Sequence, residues 1–160
     1  MSECADLIAK YGSSKRGLIH ENQCYLYLLQ SGYNVSVPLG NYCPYDFILD
    51  AEGTLFKIQC KSPTYHENGS IRIAMYTVSD RKHGLVQYNS DQVDFFASFY
   101  DGTCYLIPFD YSRTSAEIYL RLELPQCKVG WGRMHWGLEF EANYVINRRL
   151  HPETTPELDF

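Results

Sequence analysis

This 160-residue chain is poor in several features that would give a protein away. No apolar run approaches the ~20 residues that a membrane helix needs. No N-terminal stretch has the basic-then-apolar order of a secretion signal. Cysteine occurs six times, at Cys4, Cys24, Cys43, Cys60, Cys104 and Cys127, but in no CxxC pair and in no finger-like spacing with His. Most of these thiols lie inside apolar runs, where a free thiol packs as a small hydrophobe. The expectation is a reduced, cytoplasmic protein without a membrane anchor, nucleoid-associated if its source is prokaryotic. Basic residues are also short: 14 Lys and Arg stand against 19 Asp and Glu, a net charge of −5. That balance disfavours a bulk polyanion binder, though it does not prevent basic side chains from gathering on one face. There is no internal repeat and no low-complexity segment.

What remains is globular in composition. Apolar residues make up 45 % of the chain and aromatics 15 %, with 14 tyrosines. One domain over residues 1–160 fits this length. Gly17 to Ser31 predicts a helix on Leu18, Ile19, Tyr25, Leu26, Leu28 and Leu29, stopped by Gly32. Tyr33 to Val37 alternates like a strand. Tyr45 to Asp50 and Thr54 to Lys61 flank Glu52-Gly53 as a hairpin. Pro63 to Ser70 reads as loop, Ile71 to Val78 as one strand, and Ser79 to Asn89 as loop or short helix. Asp101-Gly102-Thr103 joins Gln92–Tyr100 to Cys104–Phe109 as a second hairpin. Ile118, Leu120, Leu122 and Leu124 alternate as a strand. Leu138 to Leu150 suits a helix, with a loose tail after it over 151–160. The expected class is α/β, with a helix, a mostly antiparallel sheet and a later helix in one layered arrangement.

One constellation carries chemistry. Asp46 lies between aromatics in a predicted strand, where Asp is depleted. Thirteen residues on, Gln59 and Lys61 share one face of the partner strand, with Cys60 turned to the other. A carboxylate, an amide oxygen and an ammonium then meet on one sheet face. Carboxylate and carbonyl oxygens are hard ligands that suit Mg²⁺, and the Cys60 carbonyl is a further candidate ligand. A lysine there can orient water or stabilise charge on phosphoryl oxygens. Glu21 completes the group if the first helix packs beside these strands. The bland reading makes Asp46 an edge-strand residue, Gln59 and Lys61 an exposed polar face, and Glu21 a solvated helix acid.

Tyr45-Asp46 followed by Ile58-Gln59-Cys60-Lys61 resembles the motif of the PD-(D/E)XK nuclease superfamily, with Gln in place of the second acid. Gly17, Glu21, Leu28 and Gly32-Tyr33-Asn34-Val35 resemble the first-helix pattern of its archaeal Holliday-junction resolvase branch. Tyr88, Asp91, Asp94, Phe96 and Tyr105-Leu106-Ile107-Pro108 resemble its homing endonucleases encoded in group I introns. The resemblance spans about Gly17 to Pro108, a core followed by a strand-and-helix extension over 109–150.

That resemblance implies a central mixed sheet flanked by helices, and metal-dependent double-strand DNA cleavage by a symmetric oligomer, a dimer or a tetramer. Mg²⁺ is the implied cofactor, with Mn²⁺ as the alternative. Glu21, Asp46, Gln59 and Lys61 become the implied catalytic residues, and Glu21, Asp46, Gln59 and Cys60 the implied metal ligands. Gln59 removes one negative charge from such a site. Lys15, Arg16, Arg72, Arg81, Lys82, His83 and Arg133 are candidates for DNA contact, each with a solvated surface charge as its plain alternative. Tyr65 and Tyr76 are further candidates for DNA contact, with core packing as their default, and Trp131 and Trp136 read as packing residues. A sequence-specific homing-type endonuclease is the expectation. A junction resolvase, and a DNA-binding protein that has lost its chemistry through Gln59, are the competitors.

Overall fold

The computed structural model describes residues 3–79, 84–123, 134–156 and 158. Helix α1 spans Glu3–Gln30 and is broken at Gly12, whose φ of 76° and ψ of 170° are not helical. The helix therefore begins well before the predicted Gly17. Its buried residues also differ from the predicted face. His20, Cys24 and Leu28, spaced four apart, face inward, while Leu18, Leu26 and Leu29 are exposed. The apolar pattern misled because a buried histidine does not score as apolar.

Strands β1 (Asn34–Ser36), β2 (Phe47–Ala51), β3 (Thr54–Cys60), β8 (Phe95–Tyr100) and β9 (Thr103–Pro108) form a five-stranded sheet in the order β1-β2-β3-β8-β9. Only β3 and β8 pair in parallel; the other neighbours are antiparallel. This is the expected mixed sheet. Its interior strand β8, fourth of the five, is buried from Phe95 through Ser98, as a strand covered on both faces must be.

A second sheet was not foreseen. Strands β4 (Thr64–His66), β5 (Ser70–Ala74), β10 (Glu117–Arg121) and β11 (His135–Trp136) assemble in the order β11-β10-β5-β4. The predicted loop over 63–70 is thus partly strand, because Asn68 and Gly69 turn β4 back onto β5. The single strand predicted over Ile71–Val78 is interrupted at Met75, whose side chain is buried. Beyond it, β6 (Tyr76–Ser79) pairs with β7 (Gly84–Gln87), where a loop or short helix was expected.

Two apolar cores lie on the two faces of the five-stranded sheet. Ile58, Phe95 and Ala97 pack with Cys24 and Leu28 of α1 and with Val145 and Ile146 of helix α2 (Ala142–Leu150). Phe96 and Ile107 pack with Ile71, Ile73, Ile118 and Leu120 of the second sheet. The C-terminal helix is shorter than predicted, since Gly137–Phe140 is a 3-10 turn. The expected loose tail is tied down in part. His151 Nε2 lies 2.9 Å from Glu52 Oε2, and Tyr144 Oη donates to the carbonyl of Pro156. Arg81, Lys82, His83, Leu124, Trp131 and Arg133 lie outside the described residues.

Candidate active site

A two-residue turn sets the site. Glu52 and Gly53 have φ of 54° and 82°, the paired left-handed conformation of a type I′ hairpin. Gly53 N–H donates to Asp50 Oδ1 at 2.9 Å. The turn places Ala51 against Thr54 and Phe47 against Ile58. The same register carried one step further sets Asp46 opposite Gln59, and Asp46 N–H still donates to the Ile58 carbonyl at 2.8 Å. The sequence suggested that Asp46 lies within a strand; it stands instead one residue before β2.

The Asp46 carboxylate is held through one oxygen. Cys60 N–H donates to Oδ2 at 2.6 Å, and Gln59 Nε2 donates to the same atom at 2.7 Å. Gln59 Nε2 also lies 3.3 Å from the Cys60 carbonyl oxygen. No hydrogen bond among the described residues reaches Oδ1.

Lys61 sits one residue past β3. Its N–H donates to the Ala97 carbonyl at 2.8 Å, and its own carbonyl accepts from the buried Ser98 hydroxyl at 2.8 Å. The ammonium donates to the Tyr76 carbonyl and to Tyr88 Oη, both at 2.9 Å. Tyr88 is fixed in turn by edge contact with Phe96, ring centroids 5.6 Å apart. Tyr76, expected as a packing residue, therefore supports the motif lysine through its main chain.

Glu21, Asp46, Gln59, Cys60 and Lys61 line one cavity of about 150 Å³, together with Gly17, His20 and Ser62. A wider cleft of about 470 Å³ lies between the start of β8 and the end of α2. It holds none of these five residues, so chemistry rather than size singles out the smaller cavity.

Burial dominates the electrostatics. It raises the Asp46 pKa, against the lowering effects of the Cys60 N–H, the Lys61 charge and the Gln59 amide. Glu21 is raised by burial and then by the Asp46 charge. Lys61 is lowered by burial, opposed first by Asp46. Each charged form is thus disfavoured by removal from water. His20 is lowered by burial and then by Arg16, against a hydrogen bond to the Phe99 main chain. Burial and Arg16 thus both disfavour the charged imidazole.

Two carboxylates and a main-chain carbonyl are hard-oxygen donors of the kind that fits Mg²⁺ or Mn²⁺, with the Gln59 amide beside them. Among the described residues, no three His, Cys, Asp or Glu side chains cluster to hold a metal. A cation here would rest on Glu21, Asp46, the Cys60 carbonyl and Gln59. As the chain is arranged, Gln59 offers nitrogen rather than oxygen to this group, so its amide must turn to serve as a ligand.

The other candidates divide. Lys15 is exposed, and Arg16 is half-buried one helical turn before His20. Arg72 is on β5, paired with Glu117 at 3.2 Å, and does not line the cavity. The sequence reading missed Gly17 and His20 as lining residues and Tyr88 as a partner of Lys61. The burial stripe of α1 reveals His20 only once the packed face is known.

The chain belongs to the PD-(D/E)XK endonuclease family, whose model matches residues 11–137. In three dimensions it is similar to I-Ssp6803I, a bacterial homing endonuclease. The TM-score is 0.68 at 20 % identity, over 91 % of this chain and 99 % of that one. At this identity the likeness is one of fold. No curated protein matches the chain in sequence.

Proposed function

We propose that this chain is a divalent-metal-dependent DNA endonuclease of the homing type, making double-strand breaks at a specific site. The observation that supports it best is the convergence of Glu21, Asp46, Gln59, the Cys60 carbonyl and Lys61 on one small cavity.

In this reading Asp46 is the principal metal ligand, its orientation fixed by the bonds to Oδ2. Glu21 brings the second carboxylate from α1, and Gln59 and the Cys60 carbonyl complete the donor set. A bound Mg²⁺ or Mn²⁺ would polarise the phosphate and acidify a water. Lys61 is the general electrostatic partner. Two of its N–H groups are held by Tyr76 and Tyr88; its role in this reading is to orient water and stabilise charge on the phosphoryl oxygens. Hydrolysis leaves a 5′-phosphate. Lys15 and Arg16, next to the cavity on α1, serve as phosphate contacts. A chain this small covers only part of a long site, so a symmetric dimer or tetramer is the working assembly.

The test is cleavage of a plasmid library with a randomised insert, beside a four-way junction and linear duplex, in Mg²⁺ and in EDTA. Discrete double-strand cuts in Mg²⁺ alone are expected. Preference for the junction would favour a resolvase, and binding without cutting would favour a protein that has lost its chemistry.

A further inference from the structure

Gly17 is a glycine the chain itself does not require. It lies five residues past the break at Gly12, inside α1, with helical backbone angles. Glycine is a poor residue there, because it loses the most backbone freedom on folding and has lower helix propensity than alanine. Glycine is usually kept in a helix for a left-handed φ or for close packing. Neither applies among the described residues, since Gly17 has no positive φ and a Cβ built on it meets none of their atoms within 4 Å.

Yet Gly17 lines the cavity that holds Glu21, Asp46, Gln59 and Lys61. His20 and Glu21, at i+3 and i+4, also line it and share its helical face. A side chain at position 17 would stand in the open space beside these groups. The glycine keeps clear a volume that no atom of the described residues enters within 4 Å of the Cβ position.

We propose that Gly17 is a clearance position for substrate: the phosphodiester backbone of DNA passes over it to reach Lys61 and Asp46. This inference rests on the nuclease reading above. It predicts that stability and activity move in opposite directions on substitution, which a merely structural glycine would not produce.

The experiment compares wild type, Gly17→Ala and Gly17→Leu by thermal unfolding, Mn²⁺ titration calorimetry and single-turnover cleavage of the randomised-insert plasmid library. Gly17→Ala is expected to raise the melting temperature by about 2–4 °C. Gly17→Leu is expected to bind Mn²⁺ as wild type does but to cleave on the order of 100-fold more slowly, the cost of displacing a reacting group by about 1 Å. Wild-type cleavage by Gly17→Leu would overturn the proposal and leave the nuclease reading intact. Loss of stability in both variants would overturn it in favour of packing, and loss of Mn²⁺ binding in favour of an effect on the cation site. A wild type that cuts nothing would remove the nuclease reading and this inference together.

Discussion

Gln59 Nε2 donates to Asp46 Oδ2 across the β2–β3 hairpin at 2.7 Å. The side chain that replaces the second acid of the motif thus lies against the first acid. The same nitrogen is 3.3 Å from the Cys60 carbonyl, so one NH₂ group joins the two oxygens that the proposed function assigns to a cation. In the proposed site a neutral amide does, weakly, what a divalent ion would do strongly. It offsets carboxylate and carbonyl oxygens brought together out of water.

Gln59→Glu should therefore separate metal binding from metal-free stability. A third carboxylate strengthens the attraction for a divalent ion but removes the NH₂ donor and adds repulsion. Mn²⁺ affinity by calorimetry is expected to rise about tenfold. The melting temperature in EDTA is expected to fall by several degrees and to recover with Mn²⁺. Unchanged Mn²⁺ affinity would mean that position 59 is not a ligand.

Asp46→Asn tests the cost of the buried carboxylate. Both hydrogen bonds to Asp46 fall on Oδ2, so an amide oxygen can accept them. Burial raises the folded-state pKa of Asp46, so the native state binds more protons than the unfolded chain just above pH ~3.9. The ionised group then destabilises the fold at neutral pH, and that penalty disappears as pH falls through the raised pKa. Asp46→Asn should melt higher than wild type in EDTA at pH 7, match it near pH 4, and lose Mg²⁺-dependent cleavage. A variant that melts lower at pH 7 would contradict this electrostatic account.

Tyr88→Phe removes one acceptor of the Lys61 ammonium while keeping the ring on Phe96. If the hydroxyl positions Lys61, single-turnover cleavage falls on the order of tenfold, with duplex affinity unchanged. An unaltered rate would assign Lys61 positioning to the Tyr76 carbonyl alone.

The sequence was most informative where local chemistry decides the structure. Glu52-Gly53 marks a two-residue turn, and a two-residue turn sets the register that brings Asp46 to Gln59. The alternation of Gln59, Cys60 and Lys61 then follows from the strand period. Legibility failed where distant packing decides. His20 faces inward because α1 lies on the sheet, and nothing in its neighbours in sequence requires that. The β6–β7 hairpin carries Leu85 and Val86 exposed, so its strands show no buried face for periodicity to detect. The second sheet depends on β5 pairing with β10, about 45 residues away, which no local pattern encodes. Arg72 illustrates the same limit, since its partner Glu117 lies on that distant strand.

Whether Lys61 and its neighbours form a hydrolytic centre is decided by cleavage by wild type and Lys61→Ala in Mg²⁺ and in EDTA, with unfolding followed in parallel. A hydrolytic centre gives discrete double-strand cuts by wild type in Mg²⁺ only, and a loss on the order of 10²–10³-fold in Lys61→Ala with the cooperative unfolding transition retained. Equal cleavage by a folded Lys61→Ala, or cleavage that persists in EDTA, would contradict it.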